Sequence, residues 1–145
     1  MITVTYTEPA FKIRKEKEKV LIFDAIRRVW LPLTEEEWVR QNFVQYLVQV
    51  LNYPSALIAI EKEISLNDLK KRFDILVYDR NLKPWMLVEC KAPAILLSES
   101  VLEQVLRYNM SVPVTYLIIT NGHYTYGWEK IDADLRELSA MPALL

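Results

Sequence analysis

The sequence predicts an α/β fold, a mixed sheet flanked by helices with the core order α-β-β-β-α-β. The prediction rests on an amphipathic helix pattern after Thr34, three strand-like segments behind it, and a second helix pattern that precedes one more apolar strand. Consecutive strands favour antiparallel pairing, whereas a crossover helix before the next strand favours a parallel pair.

Composition narrows the class of protein. With 145 residues, 52% of them apolar and only two glycines, the chain predicts one folded domain rather than disorder or a fibrous repeat. A single cysteine and a single histidine exclude a disulfide framework, a multi-cysteine zinc site and a His-rich metal cluster. No apolar run reaches the roughly 20 residues that span a bilayer, and no signal peptide pattern is visible, so we expect a cytoplasmic protein without membrane contact. The 18 basic and 19 acidic residues nearly balance, so any basic surface must be local.

Within the domain we expect an N-terminal extension (1–32), a core (33–128) and a C-terminal tail (129–145). The mixed-charge run 11–19 and the apolar residues 20–23 predict a solvated hairpin or arm, and 26–31 another extended piece. Thr34 is a suitable helix N-cap, with Glu37 at the capping-box position. The helix is predicted to end near Asn52.

The remaining elements follow from periodicity and turn signals. They are a strand 56–64, a polar loop 65–71, strands 72–78 and 85–91 around the turn 79–84, a helix 98–110 with Ser100 and Glu103 as a capping box, a buried strand 114–120, a turn at 121–122, a strand 124–128, and a short helix from Ala133.

The segment Arg72–Pro93, RFDILVYDRNLKPWMLVECKAP, contains the candidate site. In a hairpin centred between Asn81 and Leu82, Asp74 faces Glu89, and Lys91 shares the face of Glu89. Cys90 then points to the opposite face as a core thiol. Two opposed carboxylates repel, and a hard divalent cation such as Mg²⁺ or Mn²⁺ removes that repulsion. A surface ion-pair cluster is the alternative, and a one-residue register slip would separate the acids.

Several motifs, in this order, resemble the PD-(D/E)xK nucleases, and more narrowly the N-terminal nuclease domain of type I restriction enzyme R subunits. The resemblance spans residues 33–122. Its segments are LTEEEWVRQ (33–41), KRFD (71–74), VECKAP (88–93), QVLRY (104–108) and TNG (120–122).

The resemblance implies an Mg²⁺-dependent deoxyribonuclease that hydrolyses DNA phosphodiester bonds. Asp74 and Glu89 would be metal ligands, possibly joined by the backbone carbonyl of Cys90, and Lys91 would orient the attacking water. Gln104 and Tyr108, one turn apart on a helix, would support the site; the alternative is that Tyr108 is an ordinary core aromatic residue and Gln104 a helix-surface amide. For the acid of the first helix we favour Glu36, because Glu37 already has a capping role.

Other residues have open roles. Arg40 is expected to pair with the site acids or to contact a phosphate, with an ordinary surface ion pair as the alternative. Glu61 either approaches the site or lies in solvent. A second set of basic residues would flank the site and hold a backbone phosphate: Lys70, Lys71, Arg72 and Arg107. His123, in a turn, is expected to have no catalytic role.

DNA is the expected partner, and a homodimer and a restriction-modification or helicase partner are compatible with the resemblance. The chain has no Gly-x4-Gly-Lys-Ser/Thr loop, so the ATP-driven motor of R subunits is not expected within it. The alternatives are a non-catalytic DNA- or protein-binding module with the same fold, and an unrelated α/β domain whose acids pair with lysine on the surface.

Overall fold

In a computed structural model that describes residues 1–66 and 68–144, the chain forms two sheets and two α-helices. A short 3-10 turn, Ser55–Leu57, precedes the fourth strand. The elements are β1 (Ile13–Glu16), β2 (Lys19–Asp24), β3 (Val29–Pro32), α1 (Glu35–Gln49), β4 (Ile58–Leu66), β5 (Leu69–Tyr78), β6 (Pro84–Cys90), α2 (Glu99–Asn109), β7 (Tyr116–Thr120), β8 (Thr125–Ile131) and β9 (Asp134–Glu137).

The α/β class and the α-β-β-β-α-β order are confirmed. Strands β4 to β9 form one sheet in sequential order, in which β6 and β7 run parallel and all other neighbours are antiparallel. Strands β1, β2 and β3 form a separate antiparallel sheet, so the predicted N-terminal hairpin is also confirmed. Residues 25–28 form a turn, however, and the extended piece predicted at 26–31 is limited to β3.

Each face of the six-stranded sheet is covered by one helix. Phe43 and Leu47 of α1 are fully buried in a core with Ile75 and Val88. A smaller core on the other face joins Leu76 and Leu87 to Leu106 of α2 and to other apolar residues: Phe73, Val112, Val114 and Leu117. The central strands of the sheet are therefore buried on both faces, as the apolar run 114–120 predicts for β7.

Two predicted elements are wrong. The polar loop 65–71 is instead the tip of the β4–β5 hairpin, where Leu66 pairs with Leu69 and Asp68 has a φ of 69°; Asn67 lies outside the described residues. The tail helix expected from Ala133 is strand β9, because Ile131 pairs with Asp134 across a tight turn in which Asp132 has a φ of 57°. In both cases cross-strand pairing overrides the local pattern of the sequence.

The helix caps agree with the sequence in one case and not in the other. The Thr34 hydroxyl accepts a hydrogen bond from the Glu37 amide at 3.0 Å, as predicted for an N-cap. The N-cap of α2 is Ser98, which accepts from the Val101 amide, rather than Ser100. Among the described residues, no helix is long and apolar enough to span a bilayer.

Two lysines hold the C-terminal end of α2. The ammonium of Lys71 is buried, donates to the Tyr108 carbonyl, and lies 4.4 Å from the centre of the Tyr108 ring. Lys130 donates to the carbonyls of Asn109 and Met110, both at 3.1 Å. Cations are favourable at this end of a helix, where carbonyl groups lack intrahelical partners. The phosphate-binding role expected for Lys71 is therefore wrong, because its ammonium is committed to α2.

This arrangement predicts different effects for two neighbouring lysines. Lys71→Ala should lower the free energy of unfolding by about 1–3 kcal/mol, because it removes the buried ammonium that donates to the Tyr108 carbonyl at the end of α2. Lys70→Ala, at an exposed position of the same strand, should change it by less than about 0.5 kcal/mol. Urea unfolding of both variants measures the difference, and equal effects would contradict a structural role for Lys71.

Candidate functional site

The β5–β6 hairpin has the register that the sequence predicts. Ile75 pairs with Val88, Leu76 with Leu87 and Val77 with Met86, and the pairing shifts only after Val77. The ladder ends at the pair Ile75–Val88, one residue before the predicted pair of Asp74 and Glu89. The parallel strand β7 pairs with the same end of β6, Glu89 with Ile119 and Cys90 with Thr120, which fixes the Glu89–Lys91 segment from the other side.

Side-chain alternation breaks where β4 and β5 pass the site. Phe73 and Ile75 are two residues apart and should share a face, yet Phe73 lies in the core under α2 and Ile75 in the core under α1. On β4, Glu61 has a φ of 48° and interrupts the ladder between the pairs Ile60–Ile75 and Lys62–Phe73. The other residues with positive φ described here lie in turns or next to element ends, so backbone strain inside a strand is confined to this position.

Asp74 lies at this break and is held from two sides. Its Oδ2 accepts a hydrogen bond from the Cys90 amide at 2.8 Å, and its Oδ1 lies 3.4 Å from Nη1 of Arg40. Burial raises the pKa of Asp74 above its ordinary value, against the opposing effects of the Cys90 hydrogen bond and the Arg40 charge. Asp74 is thus a half-buried carboxylate for which the protein provides only partial compensation.

Glu89 is also half-buried and also has a raised pKa. Burial raises the pKa of Glu89, the negative charge of Asp74 raises it further, and Lys91 acts in the opposite direction. The Lys91 ammonium lies 3.4 Å from Oε1 of Glu89, and about a third of its side chain is exposed. Cys90 is buried in the α1-side core, and burial raises the pKa of its thiol, as expected for a structural cysteine.

Arg40 joins the first helix to both strands. Its guanidinium contacts Glu37, Glu61 and Asp74, with Nη1 3.0 Å from Oε1 of Glu61. Although burial raises the pKa of Glu61, the charges of Arg40 and Arg27 outweigh it and hold that pKa below its ordinary value. Of the two roles expected for Arg40, the ion pair with a site acid is the one observed, and Glu61 approaches the site rather than lying free in solvent.

The N-terminal sheet reaches the same network through Arg27, in the turn between β2 and β3. Arg27 contacts the buried Asp24 at 2.6 Å, Glu61 at 3.2 Å and Glu37 at 3.4 Å. Sequence reasoning missed this pair of residues. The only local signal was an aspartate three residues before an arginine in a segment predicted to be extended, and a contact with Glu61 is invisible at a separation of 34 residues.

The two acids of the first helix exchange their expected places. Glu37 is buried, and its side chain contacts Arg27, Arg40 and the Gln41 amide instead of closing a capping box. Glu36 was expected on the inward stripe but is exposed. Its charge nevertheless contributes to the raised pKa of both Asp74 and Glu89, so it lies at the solvent side of the site.

A small cavity of about 200 Å³ opens between the end of β6 and α2. It is lined by Glu89, Lys91, Gln104 and Tyr108, together with Val101, Val105 and Asn109. The structure thus brings the predicted supporting pair of α2 next to the predicted acid and lysine of β6. Tyr108 is 60% exposed, which excludes the alternative that it is an ordinary core aromatic residue.

The TNG segment (120–122) forms a turn that packs against α1 near the site. The Asn121 side chain accepts from the amides of His123 and Tyr124 and donates to the Ile95 carbonyl. Gly122 has a φ of 90°, and a Cβ there would lie 3.3 Å from a methyl of Val39 in α1. This turn therefore fixes the distance between the end of β7 and the first helix.

The other predicted basic residues are at the surface. Lys70, Arg72 and Arg107 are exposed, as is His123 in its turn. Within residues 1–66 and 68–144, no three His, Cys, Asp or Glu side chains converge closely enough to form a metal site by themselves. The structure brings Glu89, Lys91, Gln104 and Tyr108 to one cavity. Asp74 lies outside this lining, in an ion-pair network with Arg40, Glu61, Glu37 and Arg27, and its charge acts on Glu89.

Comparison with known proteins gives a family. No curated protein matches the chain. The family model described as the type I restriction enzyme R protein N terminus matches residues 35–142, a span that begins at α1 and includes every strand of the larger sheet. The chain therefore belongs to the family of type I restriction enzyme R protein N-terminal domains.

Proposed function

We propose that this protein is a metal-dependent deoxyribonuclease of the PD-(D/E)xK type, with Asp74, Glu89 and Lys91 at its catalytic site. The observation that carries the proposal is the pair of half-buried carboxylates, both with raised pKa, beside a half-buried lysine that follows β6. The family match supports it, because a restriction enzyme R protein acts in restriction-modification.

The residues at this site fit Mg²⁺ or Mn²⁺. The two carboxylates repel each other and supply hard oxygen donors. The backbone carbonyl of Cys90, which the resemblance implies as a possible ligand, would be a third donor group. Mg²⁺ commonly binds through one or two carboxylates, completing its coordination with water and substrate phosphate. Two side-chain donors are therefore adequate. When bound, the ion supplies a Lewis acid that offsets phosphate charge and makes a nearby water more acidic.

Lys91 and Arg40 have different parts in this proposal. The Lys91 ammonium faces the cavity beside Glu89, where it can donate to an attacking water or to a phosphate oxygen. Arg40 is 8% exposed and bonded to three acids, so it acts by holding Asp74 and Glu61 in position rather than by touching substrate. Gln104 and Tyr108 form the opposite wall and would orient the substrate strand.

Loss of activity in site variants tests the proposal. Asp74→Asn and Lys91→Ala should each reduce metal-dependent cleavage of supercoiled, linear or single-stranded DNA by at least about 100-fold, because each removes a charged group acting on the transition state. Asp132→Asn and Lys83→Ala make the same chemical changes at exposed turns and should retain full activity. Full activity in Asp74→Asn would remove the assignment. DNA binding without cleavage by the wild type, with several metals, would select the non-catalytic module instead.

The raised pKa of Glu89 predicts a dependence of stability on pH. A carboxyl whose pKa is raised in the folded state binds protons more tightly there, so its contribution to stability is lost as pH rises through that pKa. In EDTA, Glu89→Gln should therefore gain stability relative to wild type as pH rises through the raised pKa of Glu89. Urea unfolding at a series of pH values measures this difference, with the exposed Glu103→Gln as control.

Addition of Mn²⁺ should stabilise wild type but not Asp74→Asn. An ion that binds only the folded state at 100 times its Kd stabilises by about 2.7 kcal/mol, so wild type should gain that amount and Asp74→Asn should not. Calorimetric titration gives the Kd independently of cleavage. Equal stabilisation of both proteins by Mn²⁺ would show that the ion binds elsewhere.

A further inference from the structure

The N-terminal sheet has a charge opposite to that of the rest of the chain. Residues 11–32 contain seven basic and three acidic residues, whereas the remaining residues contain 11 basic and 16 acidic residues. A local basic excess of this kind, in a chain of net charge −1, is typical of contact with a polyanion. The family match begins at residue 35 and does not include this sheet.

The fold separates the charges that alternate in the sequence. Glu16 and Glu18 lie at the turn between β1 and β2, and Glu16 pairs with Arg14 at 3.0 Å. Away from this turn, cations lie against aromatic rings. Lys12 is 5.5 Å from the Phe23 ring centre, Arg14 is 4.3 Å from the Trp30 ring centre, and the two rings meet edge to face at 5.3 Å.

A groove continues from this surface to α1. It has a volume of about 550 Å³, within the range of small-molecule sites, and lies between the N-terminal sheet and the helix. Its sheet wall contains Phe11, Lys12, Phe23 and Arg28, and its helix wall contains three glutamines one turn apart: Gln41, Gln45 and Gln49. No ion pair involves Lys12 or Arg28 among the described residues.

We propose that this groove binds a single-stranded segment of DNA. Half-buried aromatic rings beside cations and amides are the groups that bind single strands, because rings stack on bases and cations hold phosphates. In this arrangement a base lies against Phe23, the phosphates contact Lys12 and Arg28, and Gln49, the exposed glutamine of the helix wall, faces the base edges. A rigid duplex presents its bases only at the groove edges, so an unpaired strand fits this narrow groove better.

The groove is connected to the catalytic residues. Ala25, Ile26 and Arg28 of the β2–β3 turn line it, and Arg27 of the same turn contacts Glu37 and Glu61. Gln41, on the helix wall, donates to Glu37 at 3.0 Å. The proposal for this groove rests on the proposed nuclease function. It adds a strand-binding surface that is separated from Asp74 by one layer of ion pairs.

Binding measured without divalent metal tests the groove separately from cleavage. A fluorescein-labelled oligothymidylate of about 16 nucleotides, the upper site size of one single-strand-binding domain, is titrated by anisotropy in EDTA. Lys12→Gln/Arg28→Gln should lower the slope of log affinity against log salt by roughly 1.4, about 0.7 for each lost phosphate contact. Arg80→Gln/Lys83→Gln removes the same charges from the exposed β5–β6 turn and should leave the slope unchanged.

The aromatic contact has its own test. Phe23→Leu should weaken binding on the order of tenfold, because it removes a stacking face, and Phe23→Tyr should restore it. Circular dichroism and thermal unfolding verify that each variant is folded. The same affinity for wild type and the Lys12/Arg28 variant, equal losses in the control pair, or a duplex that binds as tightly as the single strand would each overturn the proposal. Binding by Asp74→Asn at wild-type affinity supports it, even if no condition yields cleavage.

Discussion

The rest of the site depends on the ion pairs of the buried Arg40 guanidinium. Three carboxylates, from α1, β4 and β5, converge on this one cation. Removal of one partner from such a cluster leaves uncompensated charge in a region of low dielectric, which is costly. Because a single cation cannot balance three acids, the cluster gains from Arg27 on one side and, in the proposed function, from a divalent ion near Asp74 on the other.

Strain and charge coincide in this structure. The left-handed backbone at Glu61 and the change of face between Phe73 and Ile75 occur opposite each other on paired strands. Regular alternation from Ile75 would turn Asp74 toward the α2 side, away from Arg40. The irregularity instead lets Asp74 contact both Arg40 and the Cys90 amide. The strained backbone at Glu61 is held in place by the ion pairs of its side chain with Arg40 and Arg27.

The sequence was sufficient for the parts of the site that depend on local periodicity. The hairpin register, the cap at Thr34 and the exposed face of α2 follow from residue patterns over a few positions, and Glu89, Lys91, Gln104 and Tyr108 meet at one cavity as these patterns predict. The sequence could not predict the features that depend on contacts between residues far apart in the chain. The burial of Glu37 depends on Arg27, which lies ten residues before it in the turn between β2 and β3. Lys71 resembles the exposed basic residues beside it, and only the position of α2 makes it structural.

The contacts of Arg27 also bear on where the functional unit begins. The family match starts at residue 35, yet Arg27 supplies charge to Glu37 and Glu61 inside the matched region. Asp24, which is almost fully buried, accepts from the Arg27 side chain and from the backbone amides of Ile26 and Arg27, so the turn has a fixed shape. A fixed turn that carries a cation into the acidic cluster makes the N-terminal sheet part of the site. Any strand held by that sheet would therefore act on the same charge balance that positions Asp74.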